Sequence, residues 1–185
     1  MQIVLFGGPG AGKGTQAQKI AAHYKIPQIS TGDILRETAA SQSPLAQKLK
    51  EVMQKGELVS DNLLKDIVEE RLKKEDCRNG FILDGYPRTL GQAGDLEGIL
   101  KDIGRKIDAV LFVEVHEQEL IDRLSKRGRA DDNEATIKNR LKVYENTTRP
   151  VLDFYKQKNL LRTVQGVGTI EIIFGSLRSI LDTLK

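Results

Sequence analysis

The strongest chemical signal in the sequence is a glycine-rich segment that follows the first apolar run. Residues 7–15 read Gly-Gly-Pro-Gly-Ala-Gly-Lys-Gly-Thr and match the pattern G-x-x-x-x-G-K at the start of a predicted helix. In such a phosphate-binding loop (P-loop), backbone N–H groups surround phosphate oxygens, and Lys13 reaches the terminal phosphates of a nucleoside triphosphate. Gly14 stands where the general pattern has Ser or Thr, so we expect Thr15 to supply the hydroxyl group near Mg²⁺.

A second polar segment follows the next apolar run. Residues 30–33 read Ser-Thr-Gly-Asp, and Arg36 lies one helical turn after Asp33. The segment is also a capping box that starts a helix, and this interpretation alone requires no ligand. Arg36 is nevertheless placed to point toward the carboxyl edge of a parallel sheet, where ligands bind.

A third polar segment follows a further apolar run. Residues 84–89 read Asp-Gly-Tyr-Pro-Arg-Thr, and Gln92 comes one turn into the next predicted helix. Asp84 at a strand end beside a P-loop is positioned to orient Mg²⁺ or its water shell. Gly85 and Pro87 bracket a turn that aims Arg88 into the cleft. Thr89 and Gln92 also form a plain capping box.

The elements that position these segments alternate between strand-type and helical patterns, which predicts an α/β fold of the P-loop NTPase class with a five-stranded parallel sheet flanked by helices. From 32 to 74 three helical patterns follow one another without a strand, which indicates a helical insertion beside the sheet. The predicted strands are 2–6, 28–30, 81–84, 109–115 and 160–164, and the predicted helices are 13–24, 32–40, 44–55, 61–74, 90–103, 118–126, 133–148 and 169–184.

Composition excludes several classes of protein. The 185 residues are 39% apolar and 30% charged with a net charge of +3, which is typical of one globular domain and too small a charge excess to indicate nucleic-acid binding. Cys77 is the single cysteine, so there is no intramolecular disulfide and no zinc-site spacing. No basic residue precedes the first apolar run, which runs directly into glycines, so we expect neither a signal peptide nor a membrane anchor. We therefore expect a cytoplasmic monomer without nucleic-acid or membrane partners.

Several P-loop classes fit the sequence less well than a transferase. No Asn-Lys-x-Asp segment, which would read guanine, is present. A nucleotide-dependent switch or binding module without kinase activity is an alternative, but it has no use for Arg36 and Arg88 on the acceptor side of the cleft.

The combined motifs resemble those of the adenylate kinase family. They are the P-loop at 7–15, Ser-Thr-Gly-Asp with Arg36, Asp-Gly-Tyr-Pro-Arg-Thr with Gln92, and Arg-Ala-Asp-Asp-Asn-Glu at 129–134. The resemblance implies reversible phosphoryl transfer from Mg-ATP to AMP, giving two ADP and balancing adenine nucleotides. It also implies a single domain over 1–185, in which the helical insertion becomes a nucleoside monophosphate (NMP) lobe at about 30–59 and a short lid spans about 126–132.

The resemblance assigns roles to individual residues. Those expected to bind ATP are Gly10, Ala11, Gly12, Lys13, Gly14, Thr15, Arg123, Arg127 and Gly168. Those expected to bind AMP are Thr31, Arg36, Glu57, Leu58, Val59, Gly85, Tyr86, Pro87, Arg88, Gln92, Arg129 and Arg140, with Gln92 and the backbone near Val59 reading adenine. The expected catalytic residues are Lys13, Arg88, Arg123, Arg129 and Arg140. Thr15 and Asp84 are expected to hold Mg²⁺ through water, as the only metal.

The sequence departs from the family pattern at two places. Tyr86 stands where most members have Phe, which keeps the ring and adds a hydroxyl group. Long-lid members insert a segment between the arginines that correspond to Arg127 and Arg129, sometimes with four zinc-binding cysteines. Here only Gly128 separates them, so the resemblance implies a short lid without zinc.

The acceptor nucleotide is the narrower question. Pyrimidine-specific relatives typically have Ala in place of Thr31 and Asn in place of Gln92, so these two residues favour AMP, and a UMP/CMP kinase is the alternative. A phosphate acceptor is already an anionic nucleophile at neutral pH, so the reaction needs no general base and neither His23 nor His116.

Overall fold

One five-stranded parallel sheet organises the chain. The computed structural model describes residues 1–42, 44–129 and 132–184. The strand order is β2-β3-β1-β4-β5, and every neighbouring pair is parallel. This arrangement confirms the predicted α/β fold of the P-loop NTPase class. The strands are β1 (Gln2–Phe6), β2 (Gln28–Ser30), β3 (Phe81–Asp84), β4 (Ala109–Glu114) and β5 (Leu161–Gln165).

Helices cover both faces of the sheet because alternate strand residues point to opposite sides. The helices are α1 (Lys13–Tyr24), α2 (Thr31–Ala40), α3 (Ala46–Lys55), α4 (Asp61–Leu72), α5 (Leu90–Asp102), α6 (Glu117–Arg127), α7 (Glu134–Val143), α8 (Pro150–Gln157) and α9 (Ile170–Asp182). Val4 and Phe6 of β1 belong to an apolar cluster with residues of α4, α5 and α8, whereas Ile3 and Leu5 belong to a second cluster with residues of α1, α6, α7 and α9. Each fully buried side chain of this size contributes about 1.5–3 kcal/mol through burial of apolar surface.

The strand order creates a crevice at the carboxyl edge of the sheet. β1 lies at the centre of the sheet. β2 and β3, from the first half of the chain, lie on one side of β1, and β4 and β5, from the second half, lie on the other side. Such a switch point opens a crevice outside the strand ends, where ligands bind. Asp84 is in register with both Ser30 and Leu5, so the ends of β2, β3 and β1 lie level with the P-loop.

Three helices, α2, α3 and α4, follow one another between β2 and β3 without a strand, as predicted for 32–74. Leu35 and Ala39 of α2 and Leu49 of α3 are buried. The far end of α3 contacts α7, since Thr136 Oγ1 donates to the carbonyl of Gln54 at 2.7 Å and Asn139 Nδ2 donates to that of Lys55 at 2.6 Å. The insertion thus reaches the helix that carries Arg140.

One predicted helix was wrong in its extent. The sequence pattern predicts a helix over 133–148, whereas α7 ends at Val143 and a π-helical turn follows from Tyr144 to Thr148. A further helix, α8, which the sequence analysis missed, begins at Pro150. Proline suits the first helical position because its missing N–H has no partner there and its φ angle is already helical.

Within the three described ranges, no helix combines the length and the apolar character that a membrane crossing requires.

Candidate active site

A cleft of about 470 Å³ lies at the carboxyl edge of the sheet. This volume is within the range of nucleotide and small-molecule sites. Its walls come from the P-loop, the start of α2, segment 56–59, segment 84–88 and the three arginines Arg127, Arg129 and Arg140. The structure therefore brings together the motifs that are far apart in the sequence.

The P-loop depends on glycine at two positions. Gly10 and Gly12 have φ angles of 88° and 85°, in the left-handed region that favours glycine. A Cβ atom at Gly10 would also lie 3.0 Å from the Leu120 carbonyl oxygen. Gly12 is the N-cap of α1 and supplies no side-chain acceptor, so the first N–H groups of α1 are left for anionic oxygens.

Lys13 lies against the loop that precedes it. Its Nζ atom donates to the carbonyl oxygens of Gly7 at 2.8 Å and Gly8 at 2.9 Å. Burial lowers the pKa of Lys13 to about 8; the charge of Asp84 opposes this shift, and nearby arginines add to it. The ammonium group therefore titrates close to neutral pH.

This pKa predicts that ATP binding weakens in mild alkali. Lys13 is mostly charged below about pH 8 and mostly neutral above it. If ATP requires the charged form, the dissociation constant should rise by up to about tenfold per pH unit above that point. Calorimetric titration between pH 7 and 9.5 measures this. The Lys13→Arg variant, which stays charged, should have a flat profile whatever its absolute affinity. A flat profile in the unmodified protein would contradict the assignment.

Five guanidinium groups line the same cleft. They belong to Arg36, Arg88, Arg127, Arg129 and Arg140. Burial lowers the pKa of Arg140 to about 10, and the positive charges of nearby arginines contribute to the same shift. Burial also lowers the pKa values of Arg88 and Arg129. Because like charges in a partly buried site repel one another, the cluster strongly favours a bound polyanion.

Asp132 organises the arginines from the lid region. Arg127 binds its carboxylate with two hydrogen bonds, of 2.6 Å and 2.8 Å. Arg140 donates to it at 3.1 Å, and the backbone N–H of Arg129 at 3.2 Å. Its side chain is only 2% exposed. The sequence analysis did not single out Asp132, although its position within an arginine-rich segment was a usable signal.

Two other cleft arginines are held by their own segments. Arg88 Nε donates to the carbonyl of Gly85 at 2.7 Å, and Arg36 forms an ion pair with Asp33 one turn earlier in α2. These contacts hold both guanidinium groups close to their own segments, and both residues line the cleft.

The residues predicted to bind AMP divide into two groups. Most of them line the cleft: Thr31, Arg36, Glu57, Leu58, Val59, Gly85, Tyr86, Pro87, Arg88, Arg129 and Arg140. Gln92 does not, because it is fully buried. Its Nε2 atom donates to Asp61 Oδ1 at 2.6 Å, and its Oε1 atom accepts from the Arg88 backbone N–H at 2.7 Å.

The residues predicted to bind ATP also divide. Gly10, Gly12, Lys13, Gly14, Thr15 and Arg127 line the cleft, whereas Ala11, Arg123 and Gly168 lie outside its wall. Ala11 is buried in the core. Arg123 donates to Glu119 at 2.8 Å and to the carbonyl of Gly166 at 2.9 Å, so it connects α6 to the loop that contains Gly168.

Asp84 and Thr15 provide oxygen ligands of the kind that Mg²⁺ prefers. The Asp84 carboxylate is buried at the end of β3 and accepts a hydrogen bond from Gln28 Nε2 at 3.4 Å. It adjoins the first turn of α1, because its Oδ2 atom would lie 3.6 Å from a Cβ atom placed on Gly14. Thr15 lines the same cleft. These two residues fit an ion that keeps most of its water. In the described part of the chain, no group of three or more His, Cys, Asp or Glu side chains is arranged to hold a metal.

Comparison with known proteins agrees with this geometry. The family model for adenylate kinase matches residues 5–160. An adenylate kinase of Methanosarcina barkeri (strain Fusaro / DSM 804) is 44% identical over 211 aligned positions, which cover 98% of both chains. Adenylate kinases of Archaeoglobus fulgidus and Xanthomonas oryzae pv. oryzae are 41% and 45% identical, and the alignments cover at least 98% of each chain.

The aligned lengths differ between these relatives. The Archaeoglobus alignment has 216 positions, more than the 185 residues of this chain, whereas the Xanthomonas oryzae alignment has 185. The Archaeoglobus adenylate kinase therefore has segments that this chain lacks. Given the family match, the level of identity and the coverage, this chain belongs to the adenylate kinase family of phosphotransferases that act on nucleoside monophosphates.

Proposed function

We propose that the cleft holds ATP and AMP together and transfers the terminal phosphoryl group of ATP to AMP. The observation that carries this proposal is the cluster of five arginines that line the same cleft as the P-loop. The P-loop accounts for one set of phosphates. The arginines of α2, segment 84–88 and α7 supply a second set of phosphate-binding groups, which a protein that only binds or hydrolyses ATP does not need.

The chemistry follows from two anions held in line. An oxygen of the AMP phosphate attacks the γ-phosphorus of ATP, and the bond between that phosphorus and the β–γ bridging oxygen breaks. Both products are ADP, and no proton has to be removed from the nucleophile. The residues of the cleft therefore act by positioning and by neutralising charge that shifts during transfer. Guanidinium groups suit this task because they bind phosphate through two hydrogen bonds and stay charged when water is excluded.

Lys13 and Arg88 have complementary positions in this scheme. Lys13 would contact the terminal phosphates of ATP from the P-loop, and Arg88 would contact the transferring group from the acceptor side. Arg129 and Arg140 would bridge the transferring phosphate and AMP. Arg123 and Arg127 would lie against ATP, and Gly168 would offer a backbone group to the ATP base. Mg²⁺, held by Thr15 and Asp84 through water, would neutralise ATP charge when bound.

Closure of the cleft is part of the proposal. Segment 30–59 would act as the NMP lobe and segment 126–132 as a short lid, within one domain that spans 1–185. Residues 130 and 131 of the lid lie outside the described residues. Closure excludes water, which would otherwise attack ATP. We expect the active form to be a monomer.

A panel of acceptors tests the proposal. The purified protein is incubated with Mg-ATP and one of AMP, UMP, CMP or GMP, and ADP is measured against a sample without acceptor. We expect ADP to form chiefly with AMP. ADP formed chiefly with UMP or CMP would identify a pyrimidine nucleotide kinase, and equal ADP formation without acceptor would identify an ATPase.

A further inference from the structure

A partly buried polar network, in which Gln92 is the fully buried member, lies beside the acceptor wall of the cleft. Asp61 accepts from Gln92 Nε2 at 2.6 Å and from Thr89 Oγ1 at 2.9 Å. The Gln92 carbonyl oxygen accepts from the backbone N–H of Arg88 at 2.7 Å. We call these four residues the Asp61 network.

The Asp61 network connects two segments that the proposed function assigns to the acceptor. Asp61 is the first residue of α4, immediately after the segment 57–59 that lines the cleft. Gln92 lies in the first turn of α5, just after Arg88. A single carboxylate therefore ties the end of the proposed NMP lobe to the loop that carries the acceptor-side arginine.

The network also determines which way the Gln92 amide faces. A carboxylate only accepts hydrogen bonds, and a backbone N–H only donates. The Nε2 group must therefore face Asp61, and the oxygen must face Arg88. A reversed amide would place its oxygen against the carboxylate and its N–H groups against the Arg88 N–H. Gln92 has no exposed surface, so water does not offer alternative partners that would lower this cost.

The hydrogen bonds to Asp61 and Arg88 use one N–H and one oxygen lone pair of the Gln92 amide. The second N–H and the second lone pair are left to pair with a base. Adenine presents an N6 donor and an N1 acceptor on its Watson–Crick edge, which pair with an amide oxygen and an amide N–H. A 6-oxopurine presents the opposite pattern, an O6 acceptor and an N1–H donor. For a base held in one pose by the cleft, an amide held in one orientation can pair with only one of these two patterns.

We propose that Asp61 is a positioning residue that determines selectivity for a 6-aminopurine over a 6-oxopurine by holding the Gln92 amide in one orientation. This inference rests on the proposed function, in which Gln92 reads the acceptor base. The base reaches the buried amide only after side chains around it shift, and Asp61 preserves the amide orientation through that shift.

The Asp61→Asn variant tests the inference, with AMP and IMP as acceptors. An asparagine can offer either an oxygen or an N–H to Gln92, so the amide can adopt both orientations. We expect the ratio of kcat/KM for AMP to that for IMP to fall by about tenfold or more, because a charge-assisted hydrogen bond no longer opposes the reversed amide. KM for ATP should change by less than about twofold. Asp66→Asn, an exposed change on the same helix, is the matched control and should leave the ratio unchanged.

The outcomes separate this inference from the proposed function. An unchanged AMP-to-IMP ratio in Asp61→Asn, including an equal loss on both acceptors, overturns the role of Asp61 while AMP-dependent ADP formation by the unmodified protein stands. If the variant does not fold, exchange of the Gln92 side-chain amide protons in the unmodified protein is measured by NMR. We expect the proton bonded to Asp61 to exchange far more slowly than those of the exposed Gln42, and equally fast exchange overturns the inference.

Discussion

Replacement of Arg88 by alanine should lower the rate of phosphoryl transfer by about 10³- to 10⁵-fold, the range seen when an arginine that stabilises the transferring phosphoryl group is removed. Arg88 lies in the cleft wall, and its guanidinium group is positioned by a 2.7 Å hydrogen bond to the carbonyl of Gly85. Burial lowers its pKa, and a bound phosphate would remove the cost of keeping that buried charge. The fold should survive the substitution because Arg88 contributes its backbone N–H, and not its side chain, to the Asp61 network.

Arg78→Ala is the matched control for this experiment. Arg78 is an exposed arginine whose side chain pairs with Glu75 in the same turn, at 2.9 Å. Turnover with Mg-ATP and AMP, thermal unfolding and calorimetric ATP binding should be measured for both variants. We expect Arg78→Ala to match the unmodified protein in turnover, unfolding temperature and ATP binding. Arg88→Ala should match it in unfolding temperature and ATP binding but lose most of its turnover. Normal turnover by a folded Arg88→Ala protein would remove Arg88 from the mechanism.

Replacement of Asp132 by alanine should also lower turnover, by about 10²-fold, as expected when catalytic groups are displaced by an ångström or so. Asp132 holds Arg127 and Arg140 and the backbone of Arg129 around one carboxylate. Burial acts to raise the pKa of Asp132, but its hydrogen bonds with Arg127 and the positive charge of that residue outweigh burial and keep the pKa below its usual value. Without the carboxylate, the arginines repel one another and leave their present positions.

The pH dependence of stability gives a second readout for Asp132. Because its pKa in the folded protein is lowered, its stabilising contribution is present above the pKa of an unfolded aspartate, about 4, and is lost as the pH falls through the lower folded value. Asp132→Asn should therefore reduce the free energy of unfolding at pH 7 and have less effect toward pH 3. Asp122→Asn, on exposed α6 surface, serves as the control. If Asp132→Ala turns over normally at pH 7, the lid arginines do not depend on this carboxylate.

The P-loop and its helix could be predicted from sequence because everything that determines them is local. The glycines, the preceding apolar strand and Lys13 lie within a dozen residues, and Gly10 and Gly12 adopt the left-handed conformations that their side-chain-free backbone permits. The same holds for the turn that carries Arg88, where Thr89 caps α5 through a 3.1 Å bond from the Gln92 N–H. Segments of this kind specify their own geometry.

Features set by distant partners could not be predicted in the same way. Gln92 has the right spacing for a capping box and for a base reader, but its burial depends on Asp61, which lies 31 residues earlier. Asp132 lies in an arginine-rich segment, but its contact with Arg140, eight residues later, is visible only in the folded chain. The end of α7 was missed because a π-helical turn continues the helical path at 144–148, and this segment has no glycine or proline that would mark the end of a helix.

The proposed reaction is tested most directly in reverse, with ADP as the only nucleotide. The protein is incubated with Mg²⁺ and ADP, and the products are followed by phosphorus NMR. If one cleft binds two nucleotides and moves a phosphoryl group between them, ATP and AMP must appear in equal amounts and no inorganic phosphate should be released. Release of inorganic phosphate, or the absence of ATP from a folded protein, would contradict transfer between two bound nucleotides.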